Sequence, residues 1–84
     1  MSYDDLLENS RVVLKLLKER GSLRSGEIVR LTMAEIKSDR VVRTMITLLR
    51  KRGLIVKHGA LKSQVPYEIT DKGLKFLEGL NTGP

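Results

Sequence analysis

The chain has no cysteine and no tryptophan, and only one phenylalanine and two tyrosines among its 84 residues. Without cysteine there is no disulfide framework and no thiolate metal site. With so few aromatics, the core must be assembled from Leu, Ile, Val and Met. No apolar run approaches the roughly 18 residues that would suggest a membrane span. The single histidine, His58, has no second histidine, cysteine or clustered carboxylate to complete a metal site, and an exposed polar residue is its plainer reading. No Gly-rich phosphate loop and no nucleophile with a matching base are visible, so neither an enzyme nor a bound cofactor is expected. Asp4 and Asp5 are accounted for as first-turn acids on a helix dipole. Asparagine and glutamine are scarce beside abundant Lys, Arg and Glu, which leans toward a thermophilic source. The first residues, "MSYDDLLENS", are acidic and amphipathic where a secretory signal would be basic and then apolar, so a cytoplasmic protein is expected.

What the chain does have is a basic excess in one place. The formal net charge is +6. Segment 38–66 carries Arg40, Arg43, Arg50, Lys51, Arg52, Lys57 and Lys62 against Asp39 alone, a net of +6. Acids and bases cancel over the remainder. A localised basic excess is the electrostatic footprint of a nucleic-acid binder, and it also suits an acidic protein or membrane surface.

The centre of that segment, "DRVVRTMITLLRKRG", holds two patterns at helical spacing. Val42, Met45, Ile46 and Leu49 recur at i, i+3, i+4 and i+7, a core-facing stripe. Arg40, Arg43, Thr44, Thr47 and Lys51 form a second, polar stripe about half a turn away. The ordinary account of that stripe is a solvated helix face; the sharper one is a surface meant to lie against something acidic.

Periodicity predicts helices over about 3–20, 26–33, 39–52 and 71–80. In the first, Leu6, Ser10, Val13 and Leu17 share a face, and Gly21 stands where a left-handed cap is wanted. "GSLRS" allows a turn and a token strand around Leu23. Ser25 is placed to N-cap the second helix, with Ile28 and Leu31 facing inward. In the connector "AEIK", Ile36 plugs the core. Ser38 N-caps the third helix, with Asp39 in its first turn, and Gly53 ends it. "LIVKHGA" and "VPYEIT" alternate as two strands of a hairpin around a polar loop. Thr70 caps the last helix, to which Leu74, Leu77 and Leu80 give an apolar side.

This order of elements, with two phrases in particular, resembles the winged helix-turn-helix family of DNA-binding proteins, especially small archaeal-type transcriptional regulators. "LLRKRGLIVK" (48–57) is similar to the end of the family's recognition helix and the apolar strand after it. "YEITDKGLKFL" (67–77) is similar to the strand leaving the wing and the capped helix that follows. "GEIVRLTM" resembles the first helix of the helix-turn-helix pair. The resemblance covers about residues 5–80. It implies an α+β fold in a single domain, 1–84: a three-helix core, a β-hairpin wing over about 54–70 and a C-terminal helix. Two features depart from the family. The connector "MAEIKS" lacks the Gly-centred turn common there, and the chain carries no ligand-sensing domain, so no small-molecule ligand is expected to act on it.

The resemblance implies sequence-specific binding of double-stranded DNA by a transcriptional regulator, with the third helix in the major groove and the wing on the backbone. Arg40 and Arg43 are then long enough to reach guanine O6 and N7, while Thr44 and Thr47 bond a base edge or touch a thymine methyl. Lys51 meets phosphate, and Ser38 at the head of the helix belongs to the same candidate set. In the wing, Lys57, Lys62, Ser63 and Gln64 bond phosphate oxygens, positioning the protein without specifying sequence. Ser25 and the N-terminus of the second helix hold a phosphate on free N–H groups, unless Ser25 is only a cap.

Such a small reader is expected to act as a homodimer, since paired recognition helices match operator symmetry. Tyr3, Leu7 and Leu14 on the first helix, with Phe76 and Leu80 on the last, are the candidate seam; the alternative is that a chain this short needs them all inside. Winged helices also serve as protein-interaction modules in larger assemblies, and low-specificity architectural binding is a further alternative. The bases and threonines of the third helix favour DNA over an interaction module.

Overall fold

Among the described residues, apolar positions three and four apart fold into four helices, and three short extended segments combine into one sheet. The computed structural model describes residues 3–58 and 65–81, with Tyr3 and Asn81 described by their backbone alone. In chain order the elements are α1 (Tyr3–Arg20), β1 (Ser22–Leu23), α2 (Ser25–Thr32), α3 (Asp39–Lys51), β2 (Ile55–Lys57), β3 (Tyr67–Ile69) and α4 (Asp71–Asn81).

The core is aliphatic, as the shortage of aromatics requires. α1 contributes Val13, Leu14 and Leu17, α2 contributes Ile28 and Val29, and α3 contributes Val42, Met45, Ile46 and Leu49. Ile36, Leu54, Ile55 and Leu77 close it, with Tyr67 and Phe76 packed partly buried at its margin. α1 lies at the centre, touching α2, α3, α4, β1 and β3. Leu14 therefore has no free side: it is 0% exposed, and its expected place on a dimer seam is corrected to the core. In α2 the residue that joins Ile28 inside is Val29, while Leu31 is half-buried. Among the described residues two polar side chains are also buried, and both are satisfied within their own helices. Ser10 donates its hydroxyl to the Leu6 carbonyl at 2.7 Å and Thr32 to that of Ile28 at 2.7 Å, so neither carries the cost of an orphaned polar group.

The second helix starts one residue earlier than its spacing suggests, and Ser25 is not its cap. Arg24 is extended (φ −77°, ψ 159°), and the Glu27 carboxylate accepts its backbone N–H at 3.0 Å. That reciprocal half of a capping box closes around Arg24 and draws Ser25 into the first turn. The connector to α3 turns without glycine. The N–H groups of Glu35 and Ile36 both bond the Thr32 carbonyl, at 3.0 and 2.7 Å, and Ile36 anchors the loop at 4% exposure.

The sheet is antiparallel in the order β1-β3-β2, so the last strand in sequence is the central one. Ile55 pairs with Ile69 and Lys57 with Tyr67, while Leu23 pairs with Tyr67 from the other side. The hairpin expected over 54–70 is present as β2 and β3; its tip, 59–64, lies outside the described residues.

α3 ends in a tight left-handed cap. Gly53 has φ 74°, its N–H bonds the Arg50 carbonyl at 3.0 Å, and the Leu54 N–H bonds that of Leu49 at 2.9 Å. This is the two-bond Schellman pattern, with Leu54 and Leu49 both buried beneath it. Thr70 ties the start of α4 to the same place. Its hydroxyl donates to the Gly53 carbonyl at 2.7 Å and accepts from the Gly73 N–H at 3.0 Å, as an N-cap should. Gly73 allows the approach: a Cβ there would lie 2.1 Å from the Leu54 carbonyl oxygen and 2.7 Å from Ile69 Cγ1.

Gly73→Ala should therefore destabilise the fold by about 1–3 kcal/mol, although alanine is the better helix former. Gly79→Ala is the control, because its Cβ would meet nothing within 4 Å. It should be neutral or stabilising by up to about 1 kcal/mol. Urea unfolding of both variants, with unchanged m-values, checks the contrast.

Candidate functional site

Burying Val42, Met45, Ile46 and Leu49 turns the opposite side of α3 outward. Arg40, Arg43, Thr44 and Thr47 are all exposed. With Asp39 they line an open concavity of about 510 Å³ along the helix. Helix geometry alone accounts for their meeting: residues three and four apart share a face. Ser38 sets the start of this surface, its hydroxyl accepting the Val41 N–H at 3.2 Å.

Two of the polar groups are engaged within the helix. Arg43 Nε donates to Asp39 Oδ1 at 2.5 Å, an i, i+4 ion pair whose side chains are 55% and 59% exposed. A pair so open to water contributes only about 0.3–0.5 kcal/mol to stability. Thr47, exposed, donates its hydroxyl back to the Arg43 carbonyl at 3.1 Å, which leaves the oxygen able to accept. Arg40 has no ion-pair partner among the described residues. The face is thus one tethered arginine, one untethered arginine, two hydroxyls and a carboxylate.

The other expected contact residues are distributed around this centre. Lys51, exposed, is the last residue of α3, and the described lining of the concavity does not include it. Lys57, half-buried, ends β2 opposite Tyr67. Beyond it, His58 Nε2 lies 3.2 Å from a Glu68 carboxylate oxygen, and its N–H bonds the Pro66 carbonyl at 3.0 Å, bracing the base of the hairpin. Lys62, Ser63 and Gln64 lie outside the described residues. Ser25 is half-buried in the first turn of α2, away from the concavity. Asp39 is the member of the site that sequence reasoning passed over, treating it only as a first-turn acid. The signal was available, since an acid four residues ahead of a base on one helix pairs with it.

On the far side of α3, Leu7 and Phe76 join Leu6, Met45, Leu48 and Leu54 around an apolar cavity of about 90 Å³. Leu7, Phe76 and Leu80 are half-buried, whereas the Tyr3 side chain lies outside the described residues. No helix among the described residues is long and apolar enough to cross a membrane. None of their His, Cys, Asp and Glu side chains gather in threes around a possible metal.

No family model matches the chain, and no curated protein does. Among solved structures the chain is similar to the crystal structure of the YusO protein from Bacillus subtilis, with a TM-score of 0.69 at 25% sequence identity. The similarity covers 87% of this chain and 51% of that one, so the chain spans about half of YusO's length. The protein is a small α+β domain; its described residues form four helices and a three-stranded antiparallel sheet, an arrangement compatible with a winged-helix-like fold.

Ser38→Ala should cost about 1 kcal/mol through loss of the α3 cap, with the charge of the exposed face unchanged. Thermal unfolding of this variant beside Ser38→Asp, which retains a capping oxygen, measures that structural role on its own.

Proposed function

We propose that this chain is a winged helix-turn-helix protein that binds double-stranded DNA in a sequence-specific way, as a transcriptional regulator. α2 and α3 form the helix-turn-helix pair, α3 enters the major groove, and the β2–β3 hairpin is the wing against the backbone. One observation carries the reading. The exposed side of α3 brings Arg40, Arg43, Thr44 and Thr47 onto a single open concavity, in the third of the chain that holds the whole net charge. A major groove admits a helix and presents guanine O6 and N7 to arginine and thymine methyls to threonine.

Division of labour on that face follows from reach and position. Arg43 and the threonines sit mid-helix, where base edges would lie. Lys51, at the helix end, and Lys57, at the hairpin, are suited to phosphate, fixing register without reading sequence. A homodimer would double the contact and match a palindromic site. Its seam keeps Tyr3, Leu7, Phe76 and Leu80, now that Leu14 belongs to the core.

Fluorescence anisotropy of a random pool of duplexes, titrated at several salt concentrations, tests the reading. Binding that tightens steeply as salt falls is expected, with each neutralised phosphate adding about −0.9 to the log–log slope. On a motif selected from that pool, Arg43→Ala should lose about 1–3 kcal/mol and relax preference at one position. Lys51→Ala should weaken selected and random duplexes alike and flatten the salt slope by about one contact. A folded protein that ignores duplex DNA even at low salt would assign the basic face to an acidic protein partner instead.

A further inference from the structure

We infer that Asp39 is a specificity-determining residue of the α3 face: by holding Arg43 through Nε it presents the two terminal guanidinium nitrogens as a fixed reader of guanine, and by its charge it keeps that face from settling on phosphate. The inference rests on the DNA-binding reading above and deepens it.

The geometry supplies the first half. Asp39 is the first residue of α3 and Arg43 stands one turn further on. The carboxylate accepts from Nε at 2.5 Å, and among the described residues Nε is the only part of the guanidinium that is engaged. A guanidinium bound by Nε retains the N–H groups of both terminal nitrogens, the fork that matches guanine O6 and N7 end-on. An arginine free in solution samples many rotamers and loses that freedom when it docks; one already tethered loses less. Arg40, on the same face with no ion pair among the described residues, is the contrast: a guanidinium that no carboxylate orients.

Electrostatics supplies the second half. Asp39 is the one acid in a segment carrying seven bases, and it lines the concavity beside both arginines. Against a phosphate its charge is repulsive. Against a guanine edge it is held off by Arg43 and strengthens that residue's donors, more so once the interface excludes water and the effective dielectric falls. So exposed a pair adds little to folding. A first-turn acid also suits the helix dipole, but the dipole gives no reason for an arginine four residues further on in the concavity.

The test compares wild type, Asp39→Ala, Asp39→Asn and Asp39→Ala combined with Arg43→Ala, each first shown to melt cooperatively. Each protein selects a motif from a random 30-base-pair duplex pool, and affinity is then measured for motif and for unselected pool. Asp39→Ala is expected to bind the pool at least as tightly as wild type and to lose preference at the motif position that Arg43→Ala also loses. Its ratio of motif to pool affinity should fall about ten-fold, toward the low end of what one bidentate base contact supplies. Asp39→Asn keeps an acceptor for Nε and should retain more of the preference. In the Arg43→Ala background, removing Asp39 should change nothing further at that position. An unaltered motif and ratio in Asp39→Ala, or an equal loss on motif and pool, would overturn the inference while leaving DNA binding intact. Asp39→Asn no better than Asp39→Ala would overturn the holding role. A wild-type protein that binds no duplex at all would overturn the DNA-binding reading itself, and this inference with it.

Discussion

The junction where Gly53, Leu54, Thr70 and Gly73 meet is the constraint on which the arrangement depends. Here α3 ends, β2 begins, β3 returns and α4 starts, all within a few ångströms. The Thr70 hydroxyl bonds the Gly53 carbonyl at 2.7 Å, and the Thr70 N–H bonds the Leu54 carbonyl at 3.0 Å. Gly73 packs against that same carbonyl with no room for a methyl group. Because α3 leaves this junction through a left-handed glycine, its direction relative to the hairpin is fixed by backbone hydrogen bonds, not by surface side chains. An exposed face of guanidinium and hydroxyl groups can therefore vary in chemistry while its presentation stays rigid.

That separation matters for α3, which has two chemically distinct faces along thirteen residues. The inner stripe is aliphatic and fully enclosed; the outer stripe carries charge that contributes almost nothing to folding. Interactions of the second kind are worth little in water and gain strength only when another surface expels it. The Asp39–Arg43 pair belongs to this class.

Much of this was legible from the residues. Apolar positions spaced at three and four located every helix to within two residues. Ser38, Gly53 and Thr70 announced their caps because a hydroxyl at a helix start, or a glycine at its end, is a local matter. The polar stripe of α3 followed from the same arithmetic as its buried one. The misreadings share a different origin. Leu14 looked like a residue to spare on the side of a helix, and α1 proved to be packed by five elements. Ser25 looked like the cap by residue type, but the Glu27 carboxylate reaches the Arg24 N–H and moves the helix start. The connector to α3 was read correctly as lacking a glycine turn, but its closure by two bonds to the Thr32 carbonyl was not visible in the chain.

By itself the sequence determined what is set within one turn of helix or one pair of strands: the elements, their ends, the aliphatic core and the clustering of basic charge between residues 38 and 66. Such features depend on neighbours three or four residues away, whose chemistry is on view in the chain. Tertiary structure decided which apolar residues were left over, that β3 would sit between β1 and β2, and that Gly73 had to remain small. Those outcomes turn on contacts between segments far apart in the chain, where the shape of one surface sets the space available to another.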